Sequence, residues 1–403
     1  MWSAYLFKTI SGALGPRIYP HSVSWNITIN EIESIDLTLE KSAMPKLASN
    51  LWIEPWWAGV VLMYNGIPIV AGPIVNRPIE TKSSLRIMAQ GPRALFGRRM
   101  AIRDMTNWAD LKNTTKVEAW SSHSTPNQAD TTRFKQKTYP SLLRMVIAES
   151  MTKYGGGLPI VFKVPILNQS PVDNLDPEDG QPYEPFDKPH DLHIWGSMLN
   201  ESTVETQINS LINLEKGPDI FFKPTLTKDY SLQWEFWSGR TDDDKELPDE
   251  SDTIWDTTSA SGAVSNMTVN YLGTSMNNRA FVRHSAGSGG GQTIRMRENR
   301  DKMIAGYPLL ESYEVITAPN ASVVDLRAKA NLYANDKANH QINATVRADG
   351  PQKLGTYWPG EYSRLITSGW YGLRNGETRA KIISISGDFS NNIEISFKET
   401  EVL

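Results

Sequence analysis

Ser34-Ile35-Asp36-Leu37-Thr38-Leu39-Glu40 puts an apolar residue at every second position, the period of a strand with one face in a core and the other on a polar surface. Ser24-Trp25-Asn26-Ile27-Thr28-Ile29-Asn30 has the same alternation just upstream. Downstream, Gly59-Val60-Val61-Leu62-Met63-Tyr64 runs into Asn65-Gly66, a pair suited to the two positive φ angles of a tight hairpin. Ile69-Val70-Ala71-Gly72 and Ser84-Leu85-Arg86-Ile87-Met88-Ala89 supply two more strands. Strands this close together with short turns predict a small barrel or sandwich.

The end of the chain repeats this layout. Gln341-Ile342-Asn343-Ala344-Thr345-Val346-Arg347 alternates, Tyr362 to Tyr371 and Thr378 to Phe389 follow around Asn375-Gly376, and Asn392 to Lys398 closes the chain. Pro55-Trp56-Trp57-Ala58-Gly59 in the first set corresponds to Trp358-Pro359-Gly360-Glu361 in the second. The match is of order and spacing with little identity, and two unrelated small β-domains would give the same pattern.

Between these ends the chain changes character. Residues 106–138 are polar and aperiodic and read as a linker or surface arm. A helix is predicted over about 140–153, with Pro140 in its first turn, Leu143, Ile147 and Met151 on one face, and Gly155-Gly156-Gly157 ending it. Residues 168–191, rich in Pro, Asp and Glu, read as a long loop. A second helix is capped by Ser202 or Thr203, carries Val204, Ile208, Leu211 and Ile212, and stops at Gly217-Pro218. Strands resume at Ile220-Phe221-Phe222, Ser231 to Trp237 and Val264 to Tyr271, with a flexible tip at Ser288-Gly289-Gly290-Gly291. A third helix is read with Ser322 as its cap and Val323, Leu326, Ala330, Tyr333 and Ala334 along one side. The fold class expected is therefore mainly β with α insertions (α+β). The expected domains are a first β-barrel domain over 1–105, a linker and insertion over 106–200, a middle α+β segment over 201–335, and the strands of a second barrel over 336–403.

Composition narrows the function classes. The 403 residues carry 41 Lys+Arg against 45 Asp+Glu, a net charge of -4, without the basic stripe of a dedicated nucleic-acid binder. No cysteine is present, which rules out disulfides, thiolate metal sites and a cysteine nucleophile. No stretch approaches the roughly 20 apolar residues of a membrane helix, and Met1 to Lys8 does not read as a secretory signal. No phosphate loop, nucleophile elbow or metalloprotease helix occurs. His190-Asp191-Leu192-His193 is the one cluster with metal-ligand character, yet two histidines lack a third ligand, and surface histidines are the simpler account. Glu178-Asp179, Asp249-Glu250 and the run Asp242 to Asp252 read as solvated acidic loops, since a glycosidase pair needs a cleft. No catalytic, cofactor-binding or metal residue is assigned, and no enzyme activity or cofactor is expected. Among the 13 tryptophans, Trp52, Trp56, Trp57, Trp234 and Trp237 could stack on sugars, though core or subunit interface is the commoner fate of such alternating positions. Gly91-Pro92-Arg93-Ala94-Leu95-Phe96-Gly97-Arg98-Arg99 is the one basic patch; it could contact DNA, though ion pairs to a neighbouring loop or subunit are the commoner use of such arginines.

Three places in the chain resemble the baseplate and tail-tip hub, or minor tail, proteins of long-tailed phages. They are the strands from Trp57-Ala58-Gly59-Val60 to Arg98-Arg99, the helix leading into Gly217-Pro218-Asp219-Ile220-Phe221-Phe222, and the final Trp358-Pro359-Gly360-Glu361 with Gly387-Asp388 and Ile393-Glu394-Ile395. The resemblance implies a homotrimer with two tube-type β-barrel domains per chain, so that three chains offer six near-equivalent docking surfaces to a six-fold tail tube. It implies a virion location after assembly in the host cytoplasm. The implied partners are a distal tail protein ring, a tape-measure protein and tail-tip or receptor-binding proteins, with DNA passing through the lumen and no membrane anchor. Some relatives carry a lysin after the hub; the chain's stop at Leu403 leaves none expected here. A carbohydrate-binding or glycan-cleaving tail protein is the competing reading, resting on the tryptophans and acidic loops. In a ring, the polar alternates Thr28, Asn30, Asp36, Thr38, Ser384, Ser386, Glu394 and Ser396 would face either the lumen or bulk solvent. Their opposites, Ile27, Ile29, Ile35, Leu37, Ile383, Ile385, Ile393 and Ile395, would face the cores.

Overall fold

In the computed structural model the alternating segments are strands where expected. The structure describes the chain apart from residues 44–49, 102–130, 154, 167–189, 196–202, 214–216, 240–246, 248–252, 260–263, 275, 285–292, 317–320, 335–338, 372 and 400–403. The first β unit holds β1 (Trp2–Lys8), β2 (Leu14–Ile18), β3 (Pro20–Thr28), β4 (Ser34–Glu40), β5 (Ala58–Tyr64), β6 (Ile67–Asn76) and β7 (Ser84–Gln90). Next come α1 (Arg93–Phe96), β8 (Thr131–Lys137), α2 (Tyr139–Met151), β9 (Ile160–Phe162), β10 (His190–Trp195), α3 (Val204–Ile212), β11 (Ile220–Leu226) and β12 (Leu232–Ser238). The remaining elements are β13 (Ile254–Asp256), β14 (Val264–Leu272), β15 (Arg279–His284), β16 (Thr293–Glu298), α4 (Arg300–Ile304), β17 (Glu311–Ile316), α5 (Ala321–Ala334), β18 (Asn339–Arg347), β19 (Tyr362–Thr367), β20 (Gly376–Gly387) and β21 (Asn392–Glu399). The chain is mainly β with α insertions.

The two ends of the chain share one sheet, ordered β14-β18-β21-β20-β3-β4-β7-β6-β5-β1-β2, with β19 joining β20 to β13. Within it the antiparallel order β3-β4-β7-β6-β5 recurs as β14-β18-β21-β20-β19. The correspondence extends to register. Leu37 faces Val23 and Ile87 as Ala344 faces Met267 and Ile395. β3 bulges between Pro20 and Ser22, β14 between Val264 and Asn266. β6 bulges between Ile74 and Asn76, β20 between Ile382 and Ser384. Each unit has a left-handed residue before its next strand: Trp56 (φ 66) donates to Ile74 O at 2.8 Å, and Gly360 (φ 93) to Ile382 O at 2.7 Å. A bulge is a local, position-specific defect of pairing, so this agreement binds the two halves together far more tightly than order alone. Ser384–Gly387 of β20 pairs with Trp25–Thr28 of β3 and joins the halves into one sheet.

Alternation decides the layers. Trp25, Ile27, Ile35, Leu37, Ile385, Ile393 and Ile395 enter one continuous core, while Ile383, at the bulge of β20, is half-buried against it. β5 is buried along its whole length, because its second face is also covered. Phe7, Val61, Met63 and Ala71 pack with α2, α3 and the β11-β12-β9 sheet in a second core around Trp234, Phe222 and Phe236. Thr203 caps α3 by accepting a hydrogen bond from Thr206 N, and Leu143 and Ile147 are the buried face of α2.

Three sequence readings are corrected. The polar segment taken as a linker ends in a strand, β8, paired with β10; backbone pairing satisfies such a segment without apolar alternation. The loop reading over 168–191 likewise gives way to β10 from His190 onward, and 167–189 lie outside the described residues. Ser322 lies inside the first turn of α5, not at its cap; Val324, Ala328 and Leu332 are buried on that helix. The side chains of Val323, Leu326, Ala330, Tyr333 and Ala334 lie outside the described residues, as does the tip 288–291.

Candidate functional site

The polar alternates of seven adjacent strands form one surface. The opposite face of β14-β18-β21-β20-β3-β4-β7 is the core, so the other residues of each strand project together. Most are small and neutral: Asn266, Thr268 and Asn270 on β14, Asn343 and Thr345 on β18, Ser384 and Ser386 on β20, Ser24, Asn26 and Thr28 on β3, and Thr38 on β4. Nine residues of this face are charged, Asp36, Glu40, Glu377 and Glu394 against Arg86, Arg347, Arg379, Lys381 and Lys398; Lys381 is itself paired with Asp219, so the remaining signs cancel. Asp36 is held by Arg86 in a two-pronged pair, with Nε at 2.9 Å from Oδ1. Neighbours also satisfy one another: Thr345 Oγ1 donates to Glu394 at 2.7 Å, Ser396 Oγ to Asn343 at 2.6 Å, and Asn26 Nδ2 to Thr28 at 3.0 Å. The surface runs without interruption across the β20–β3 junction.

A buried charge cluster lies where this junction meets the inserted elements. Asn30, with φ 63, sits in the turn after β3. Its Nδ2 donates to Asp219 Oδ1 at 2.6 Å, its Oδ1 accepts from Ile220 N at 2.8 Å, and its carbonyl accepts from Arg93 Nη1 at 2.6 Å. Asp219 also accepts from Lys381 of β20. Arg93, 1% exposed, pairs with Glu205 at 2.7 Å and donates to Asn209 at 3.0 Å. One constellation thus ties the β3–β4 turn, α1, α3, β11 and β20 together. Glu33 completes it: burial pushes its carboxyl up from 4.5 to about 7, against the lowering pull of its backbone hydrogen bond and of Arg93. Gly91 is required beside it, since a Cβ there would lie 1.6 Å from Glu33 Oε2.

The residues singled out in the sequence divide. The basic patch splits: Arg93 is the buried ion pair, the partly buried Arg99 donates to Gly156 O at 2.7 Å, and Arg98, exposed, lies over the Trp56 ring. Burial lowers the Arg99 guanidinium from its ordinary value. Trp234 is fully buried against Phe7, Trp52 meets Trp57 edge-on, and Trp237 is half-buried; no described tryptophan stands exposed as a platform. His190 and His193 lie on β10 opposite Lys137 and Arg133 of β8, with their side chains outside the described residues. Glu178, Asp179, Asp249, Glu250 and the run from Asp242 are also outside them, except Leu247, which is buried. Among the described residues no three His, Asp or Glu side chains converge as a metal site, and no helix is long and apolar enough to cross a membrane. Sequence reasoning missed the Asn30–Asp219–Lys381 and Glu33–Arg93–Glu205 links, although Asp219 and Arg93 lie in motifs it had marked.

No protein-family model and no curated protein matches the chain. Among solved structures, the 43 kDa tail protein of prophage MuSo2 from Shewanella oneidensis is similar over 99% of this chain and 98% of that one, with TM-score 0.52 and 11% identity. The lidded Francisella PdpA–VgrG complex contains a chain similar over 99% of this one and 52% of its own length, with TM-score 0.52 and 10% identity. In the lidless complex the shares are 99% and 64%, with TM-score 0.50 and 9% identity. Likeness at such identity is a likeness of fold: along nearly its whole length this chain has the fold of a phage tail protein.

Proposed function

We propose that the chain is a structural hub of a phage tail tip, a homotrimer that closes or extends the tail tube and links it to tip and receptor-binding proteins, with a distal tail ring and a tape-measure protein as neighbours. The observation that carries the reading is the charge-balanced polar face that continues across two units of matching order and register. Three such chains would present six alike units around an axis, as a six-fold tube needs. Turned toward the axis, the face would line a lumen through which DNA passes. A wall of Lys and Arg would hold phosphates through counterion release and slow that passage; Ser, Thr, Asn and cancelled charges do not. The described tryptophans, buried or half-buried, give the glycan-binding reading no platform.

The test is a phage carrying Thr28→Lys, Ser386→Lys and Ser396→Lys in this chain. Particles should assemble, and DNA ejection triggered in vitro should slow by an order of magnitude at low salt and recover at high salt. Unchanged ejection from particles bearing all three lysines refutes the lumen. A mass other than three chains in sedimentation refutes the trimer. Reproducible release of fragments from host cell wall by the purified protein refutes a purely structural role.

A further inference from the structure

The thirteen-stranded sheet ends differently at its two edges. At one edge β2 is five residues long and contains Pro16 and Arg17, devices that stop an edge from pairing further. At the other, β14 is nine residues, Val-Ser-Asn-Met-Thr-Val-Asn-Tyr-Leu, with no charge and no proline. Among the described residues no strand pairs its outer edge. An edge of that length and composition is a pairing template.

The chain itself shows what pairs there. β14 matches β3, and the outer edge of β3 is occupied by the distal part of β20. The strand matching β20 is β6, with Ile74 answering to Ile382 and Asn76 to Ser384 through the shared bulge. The β6 chain running out past its bulge, from Val75 through Arg77, is therefore the counterpart of the segment that covers β3. It belongs to the first unit, and β14 to the second, so repetition of the internal contact joins two chains.

We infer that the outer edge of β14 pairs antiparallel with the distal end of β6 in a second copy of this chain. The inference rests on the reading that copies close into a ring, and it fixes the seam and its register. Transposing Ser384 opposite Thr28 and Ile385 opposite Ile27 puts Asn76 opposite Leu272 and Arg77 opposite Tyr271. Ile29 N donates to Ile383 O at 2.9 Å, so in the internal junction Ser384–Thr28 is a non-hydrogen-bonded pair. Asn76–Leu272 inherits that character, in which Cα atoms approach to about 4.5 Å. Pro78 then occupies a non-bonding position, where its missing N–H removes no bond. The contact is heterologous, head to tail, and such contacts close rings when the rotation allows.

The chain has no cysteine, so introduced thiols report alone. The double variant Asn76→Cys/Leu272→Cys, assembled at micromolar concentration and mildly oxidised, should form inter-chain disulfides in most chains, with three chains as the limiting species. The single variants and the off-register pair Asn76→Cys/Thr268→Cys should stay below a tenth of that yield. Sedimentation of the reduced double variant against the unsubstituted chain controls for folding. Thr268→Lys/Asn270→Lys, both exposed on the edge strand, should weaken assembly at least ten-fold with unchanged circular dichroism. A trimer without the Asn76–Leu272 link overturns this seam and leaves the hub reading standing. Links that grow into open chains keep the seam and overturn the trimer; a chain that stays monomeric at high concentration overturns both.

Discussion

Replacing Glu33 with Gln removes a carboxyl that the fold holds close to neutrality without changing its shape. In the folded chain burial raises this group from 4.5 to about 7, with Arg93 pulling it down and Glu205 pushing it up. The folded state therefore binds its proton more tightly than the unfolded state, and stability falls as pH rises through the window from 4.5 to about 7. Below that window the group costs nothing; above it the cost is complete. At about 1.4 kcal/mol per pH unit, the rise to about 7 is worth about 3 kcal/mol. Carboxyls lowered by their hydrogen-bond partners, such as Asp256 with Thr258 and Asp349 with Arg347, work in the opposite sense and titrate below the window. Urea unfolding at pH 5, 6, 7 and 8 should show the parent losing about 2–3 kcal/mol across the series, and Glu33→Gln losing little and exceeding the parent at pH 8. A parent of constant stability over this range, or a Gln variant with the parent's slope, refutes the buried-carboxyl argument.

The remaining expectations concern the same junction and the second core. Arg93→Ala leaves Glu205 buried without its cation and should cost about 3–5 kcal/mol in urea unfolding, with Arg93→Ala/Glu205→Ala costing less than the sum of the single changes. Gly91→Ala drives a methyl against Glu33 Oε2 and should destabilise by about 1–3 kcal/mol, an effect that shrinks in a Glu33→Ala background. Asp219→Ala removes the acceptor of Lys381 and Asn30, and hydrogen exchange should rise first at Trp25–Thr28 and Ser384–Gly387. Trp234→Ala empties a fully buried site in the second core and should cost about 3–5 kcal/mol, read from the thermal midpoint.

Most strands legible in the sequence have one wet face; β5, dry on both, is marked by the Asn65-Gly66 turn that follows it, which adopts the positive φ values, 51 and 82, that its hairpin demands. β1 carried no such signal, because Ala4, Leu6 and Phe7 fill cores on both sides of it and alternation is lost when both faces are dry. β8 failed for the opposite reason, being a polar strand defined by its backbone pairing with β10. The repeated layout was visible as order, but only pairing reveals that the bulges coincide. The charge cluster was out of reach: Arg93 and Glu205 are 112 residues apart, and nothing local marks one as the partner of the other. Asn30, by contrast, reads from the sequence as a polar alternate facing lumen or solvent, while its side chain is committed to Asp219 and Ile220.

β20 hydrogen-bonds β19 through Gly376–Lys381, β3 through Ser384–Gly387, and β21 along most of its length. A single strand shared in this way is a mechanical element. Force along it loads the ladders to β3, β19 and β21 in shear, where many hydrogen bonds must yield together and not one after another. The two units cannot swing freely about the inserted chain between them, because β20 of the second unit is hydrogen-bonded to β3 of the first. Torque applied to one unit would therefore pass to the other through the β20–β3 ladder.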